Sequence, residues 1–104
     1  MTETEKRIEL NSRLETILGS TNVYYQPPEN LKLKFPCIIY EWDSQDNLYA
    51  NNNKYRKLRR YTVTVVDKNP DSEIPDKVGE LPLCSFNRRY ISDNIYHTVY
   101  SIYI

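Results

Sequence analysis

Arg59-Arg60-Tyr61-Thr62-Val63-Thr64-Val65-Val66-Asp67-Lys68-Asn69-Pro70-Asp71-Ser72 holds a strand, a turn and a helix start in one run. β-Branched and aromatic residues crowd Tyr61 to Val66, where they suit a pleated, half-buried backbone. Asp67, Asn69 and Pro70 then end the ladder, because their side chains bond locally or remove a backbone donor. Asp71 or Ser72 offers an oxygen to the first helix amides. The run predicts a central strand with a helix packed beside it.

Upstream, Cys37 to Asp43 alternates, with Ile38, Tyr40 and Trp42 on one face and Cys37, Ile39, Glu41 and Asp43 on the other. Ser44 to Lys54 is rich in Asp and Asn and reads as a loop, long for a hairpin connection and of a length that is usually functional or mobile. Tyr55 to Asp67 returns as the central strand, so Cys37 to Asp67 forms a long hairpin with its tip at about 44–54. Lys54, Arg56, Lys57, Arg59 and Arg60 make the strongest basic run, interleaved with Tyr55 and Tyr61. That mixture of cations and aromatics is one that nucleic-acid contacts use. Alternation nevertheless divides these charges between two faces and sets them opposite Glu41, Asp43 and Asp46, so solvated or interface charge is the expected reading.

At the N-terminus, Thr2 and Glu5 match a capping box, Leu10, Leu14, Ile17 and Leu18 form one helical stripe, and Gly19 suits a left-handed cap. A helix is predicted over Thr4 to Leu18. Val23 to Gln26 reads as a short strand ended by Pro27-Pro28. Glu29 to Pro36 is a covering loop whose Leu31, Leu33 and Phe35 also allow a ragged edge strand or an extended arm. Ile74, Val78 and Leu81 place a short helix over Ser72 to Glu80, with Pro75 tolerated in the first turn. Leu83 to Ile91 and Ile95 to Ile104 are the last strands, joined at Ser92-Asp93-Asn94. A two-residue turn at Asp93-Asn94 sets Ile91 against Tyr96, Tyr90 against His97 and Arg88 against Val99. The expected fold is α+β: an antiparallel-rich sheet of about five strands, in the order helix, three strands, helix, two strands, with both helices on one face.

A length of 104 residues fits one domain, 1–104, able to bury roughly two-thirds of its unfolded surface. Lys plus Arg and Asp plus Glu balance at 14 each, so net charge favours neither nucleic acid nor an anionic membrane. Ten Tyr and only two Gly give an aromatic, half-polar chain suited to sheet faces that a partner covers. Cys37 and Cys84 lack metal-site spacing and are expected as free thiols inside strands. No apolar run approaches membrane-spanning length, and the chain is expected to stay in the cytosol that made it. His97 has no partner signature for general-base work, the acidic residues Asp67, Asp71, Asp76 and Glu80 lack EF-hand spacing, and two glycines cannot make a phosphate loop. No catalysis, metal or cofactor is expected.

The run Pro27-Pro28-Glu29-Asn30-Leu31-Lys32-Leu33-Lys34-Phe35-Pro36-Cys37-Ile38-Ile39-Tyr40-Glu41, followed by Arg60 to Asp67 and Pro70-Asp71-Ser72, resembles tail-completion or tail-terminator proteins of long-tailed, siphovirus-type bacteriophages and prophages. Leu83-Cys84-Ser85-Phe86 and the Asp93-Asn94 hairpin share the resemblance, which thus spans most of the chain. It implies a structural virion protein, usually a homohexameric ring, at the head-proximal end of the tail. Such a ring ends tube polymerisation and joins the tail to the head connector. The implied partners are further copies of the chain, the major tail tube protein and a connector or stopper protein, with DNA only in transit and no membrane. The helix-first order fits this family better than the β-barrels of head-closure proteins. A ring is a head-to-tail assembly whose two contact sides must match. The expected protomer or tube contacts lie around the hairpin tip: Asp46, Asn47, Tyr49, Asn51, Asn52, Lys54, Tyr55, Arg56 and Arg59. A head-closure component is the alternative within this class, and a nucleic-acid-binding module using Lys54 to Tyr61 is the alternative outside it.

Overall fold

The structure, a computed structural model, describes residues 2–28, 32–50 and 53–104, with the backbone alone for 48–50 and 53–57. The elements run α1 (Glu3–Leu18), β1 (Val23–Tyr25), β2 (Cys37–Ala50), β3 (Asn53–Asp67), α2 (Ile74–Gly79), β4 (Cys84–Ser92) and β5 (Ile95–Tyr103). The five strands form one mixed sheet in the order β1-β2-β3-β5-β4. Only the β1–β2 pairing is parallel.

Sheet alternation explains the core. Ile38 lies beside Val65 and Val65 beside Thr98, while Tyr40 lies beside Val63 and Val63 beside Tyr100. Onto this face pack Leu10 and Leu14 of α1 and Val78 of α2, so both helices share one core with it. Thr2 caps α1 by accepting the Glu5 amide at 3.1 Å. Gly19 ends the helix at φ 78°, a conformation that a side chain would strain. The opposite face carries Cys37, Val66 and His97 in one row and Ile39, Thr64 and Val99 in the next.

The β4–β5 turn has the expected register, Ile91 against Tyr96, Tyr90 against His97 and Arg88 against Val99. Asp93 and Asn94 both take positive φ, 52° and 62°, as a type I′ turn requires. Asn87 is then a bulge between Phe86 and Arg88.

Two expectations need correction. The segment 44–54 is not a loop: β2 and β3 stay paired from Cys37↔Val66 out to Ala50↔Asn53, leaving only 51–52 between the strands. Asn and Asp are depleted in strands because strand propensity reflects fit to a half-buried sheet, and this distal pairing has no sheet around it. The second helix is shorter than Ser72 to Glu80, and Asp71 does not cap it. Instead Asp67 and Asn69 accept the amides of Asn69 and Asp71 at 2.9 and 3.0 Å, while Ser72 accepts the Ile74 amide at 3.3 Å, so the turn uses local side-chain bonds before the helix begins. Residues 32–36 form no strand, in keeping with a covering loop there, and 29–31 lie outside the described residues.

Candidate assembly interface

Past Arg59 the hairpin leaves the sheet. The ladder of β5 with β3 runs over Arg60 to Asp67, Arg59 and Ile104 exchange one further pair of backbone bonds, and β1 pairs β2 over Ile38 to Tyr40. Beyond these limits β2 and β3 continue as a two-stranded ribbon, in a molecule measuring 51 × 24 × 22 Å. Asp43 is a bulge at the base of the ribbon, and the register shifts again between Leu48 and Tyr49.

Polar and cationic side chains brace the base. Arg60 Nε donates to Asp43 Oδ1 at 2.9 Å, and the Thr62 hydroxyl donates to the other carboxylate oxygen. Burial alone would raise the Asp43 carboxyl, but the bonds from Thr62 and Arg60 outweigh it and hold the group below the usual carboxylate range. On the other face the Arg59 guanidinium stacks 3.7 Å from the Trp42 ring centroid and lies 3.7 Å from Glu3 of α1. Arg59 Nε and Glu3 Oε2 are both buried without a hydrogen bond. Trp42 remains 42% exposed beneath its arginine.

The described backbone spreads the expected interface residues along the ribbon, from Arg59 at its base out to Tyr49 and Lys54. Asp46 lies opposite Leu58 and Asn47 opposite Lys57 along the ribbon, with Gln45 donating to Asn47 Oδ1 at 3.2 Å. Tyr49 lies opposite Lys54, and Arg56 opposite Leu48, in backbone register, with Tyr55 at the register shift. Asn51 and Asn52 lie outside the described residues. Arg59 sits at the base, held by Trp42 and Glu3, rather than at the tip.

Sequence reading missed a polar joint between α1 and the sheet. The Tyr40 hydroxyl donates to Asn11 Oδ1 at 2.7 Å and accepts from Arg7 Nη1 at 3.2 Å, while the Arg7 guanidinium lies 4.4 Å from the Tyr25 ring centroid. Burial pushes the Tyr40 phenol above its ordinary value despite the opposing arginine. The signal was present, since Arg7 and Asn11 share an i, i+4 spacing that leads into Leu14 on the buried stripe.

The other candidate chemistry stays separate. His97 stacks on Tyr90, with centroids 4.7 Å apart, and its Nδ1 lies 3.1 Å from the Ile95 carbonyl oxygen. Among the described residues no three His, Cys, Asp or Glu side chains converge as a metal site, and no helix is long and apolar enough to cross a membrane. Cys37 and Cys84 are free thiols. No protein-family model matches this chain, and no curated protein matches it either.

Proposed function

We propose that this chain is a structural component of a phage tail, a ring-forming terminator at the head-proximal end that stops tube growth and meets the head connector. The resemblance in sequence supports this reading. The observation that carries it is the ribbon. A two-stranded hairpin standing alone in water is marginally stable, so one that projects past its sheet gains most when a partner surface orders against it. An assembly protein needs such a contact, made only when the tube arrives. Asp46, Asn47 and the ribbon residues beyond them are the proposed tube or neighbour contact.

Arg59 and Arg60, the described cations of the basic run, are engaged by Trp42, Glu3 and Asp43, which weighs against a phosphate-binding groove. The terminator reading is tested by replacing 47–57 with Asn-Gly, which closes the hairpin at Asp46↔Leu58 while leaving the five-stranded sheet intact. The variant is expected to fold normally and to fail to cap tail tubes, as seen by electron microscopy of tubes mixed with each protein. Normal capping by the shortened chain would sink the ribbon's role, and tubes that the full chain never caps would sink the terminator reading. A DNA-binding series over salt addresses the nucleic-acid alternative, for which steep salt dependence is required.

A further inference from the structure

Two of the sheet's open edges are long and of similar length. One is β4, Cys84–Ser92, the last strand on its side. The other is the outer side of β2 from Glu41 to Ala50, which no strand covers among the described residues because β1 stops opposite Tyr40. Each edge leaves backbone donors and acceptors facing outward, a template for strand pairing. β4 is also unusually apolar for an edge, with Phe86 and Ile91 each 62% exposed.

We propose that the β4 edge of one chain pairs with the Glu41–Ala50 edge of a second copy, so that the sheet continues from subunit to subunit. This deepens the ring reading by naming its contact. Within the sheet β4 and β2 run in opposite directions, because β2, β3, β5 and β4 are successively antiparallel. A second copy added in the same orientation therefore meets β4 in antiparallel fashion, the more stable pairing. The side chains match face by face. On the helix-bearing face β4 presents Phe86 and Ile91, and β2 presents the exposed Trp42. On the opposite face β4 presents Arg88, and β2 presents Glu41, Asp43 and Asp46. Pairing two β4 edges would bring Arg88 and Arg89 towards their own copies, and pairing two β2 edges would crowd the three carboxylates. Charge thus favours the head-to-tail contact, which builds a ring when its rotation closes and a filament when it does not.

Sedimentation of the full chain across concentrations up to roughly 1 mM tests this. Wild-type protein is expected to self-associate beyond a dimer. Arg88→Glu and Asp46→Arg should each weaken association about tenfold, and the double variant should recover to within about threefold, as reversed cross-strand charges re-pair. Unchanged thermal melts would show that these exposed substitutions leave the fold intact. A chain that stays monomeric throughout overturns the inference, as does association indifferent to both reversals. Association lost with Arg88→Glu but untouched by Asp46→Arg would assign β4 to a two-fold dimer instead. Hydrogen-exchange protection of β4 that appears only when tubes are added to a monomer would assign the edge to the tube protein. The last two outcomes refute this contact while leaving the terminator reading to the capping assay.

Discussion

Replacing Tyr40 by Phe isolates the joint between α1 and the sheet. Tyr40 is fully buried, and its ring packs on Tyr25 and Tyr61 at centroid distances of 5.0 and 6.1 Å, contacts that Phe keeps. Only the oxygen is lost, and with it one bond to Asn11 and one from Arg7. A buried group left without its partner costs about 1–3 kcal/mol. Arg7 and Asn11 are only partly buried, and Asn11 Nδ2 still donates to Glu15 at 2.8 Å, so water relieves part of that cost. The expected loss is about 1–2 kcal/mol, or roughly 5–10 °C in Tm for a domain of this size. Leu14→Ala, at a fully buried position under a rigid sheet, should cost more, about 3–5 kcal/mol, and Ile8→Ala, which is half exposed, less than about 0.5 kcal/mol. Urea unfolding at neutral pH reads the series. Combining Tyr40→Phe with Asn11→Leu should cost less than the sum of the single changes, because neither partner is then left waiting. A Tyr40→Phe protein within about 0.3 kcal/mol of wild type, or strict additivity in the double variant, would refute the idea that the hydroxyl ties helix to sheet.

Val63 and Val65 are buried at the centre of the sheet, so Asp at either position should unfold the monomer, because an unpaired buried charge costs several kcal/mol, the scale of a whole domain's stability. A soluble variant with an unchanged melt would remove β3 from the core. Burial raises the phenols of Tyr40, Tyr61 and Tyr100 above their ordinary value of 10.0, so the folded state holds these protons more tightly than the unfolded state. Their contribution is complete below that value and lost as pH rises from it through the folded pKa, so Tm followed by circular dichroism should fall above about pH 10, and a flat profile there would contradict the burial. Cys37 is buried with its thiol pushed up to about 11 by desolvation and by Asp67, whereas Cys84 is only partly buried. Alkylation followed by mass spectrometry should label Cys84 first and Cys37 only on unfolding, and a native mass two hydrogens lighter would reveal a disulfide instead.

Much of the fold was legible because local and global signals agreed. Thr2, Glu5 and Gly19 bracket α1 by capping chemistry that needs no tertiary context, and Asp93-Asn94 fixes the β4–β5 register down to Arg88↔Val99. Two features escaped because each depends on what lies across space, and a third for a local reason. The ribbon looked like a loop because its Asn and Asp residues follow turn chemistry, and only strand pairing supplies the backbone bonds that override it. α2 starts only at Ile74, with Glu73 as a cap that makes no side-chain bond, because Asp67, Asn69 and Ser72 use their oxygens on the amides of Asn69, Asp71 and Ile74 in the turn before it. Arg59 seemed available to a partner, yet Trp42 of β2 and Glu3 of α1 hold it from two elements distant in sequence.

The same asymmetry organises the proposed assembly. The inner half of the β2–β3 hairpin is insulated by α1, β1 and β5 and carries the fully buried Ile38, Tyr40 and Val63. Its outer half has only its own ladder, and the transition between the two falls at the Asp43 bulge. There Asp43 turns to Arg60 and Thr62 on one face while Trp42 is clamped by Arg59 on the other, so the base of the ribbon is fixed. A bulge in that position also bends its strand and increases the local twist. Anchoring at the base and marginal stability beyond it let a binding event order the ribbon without remodelling the core. Partner binding should therefore change exchange protection along the ribbon and at the sheet edges while leaving Leu10, Leu14 and Val63 as protected as before.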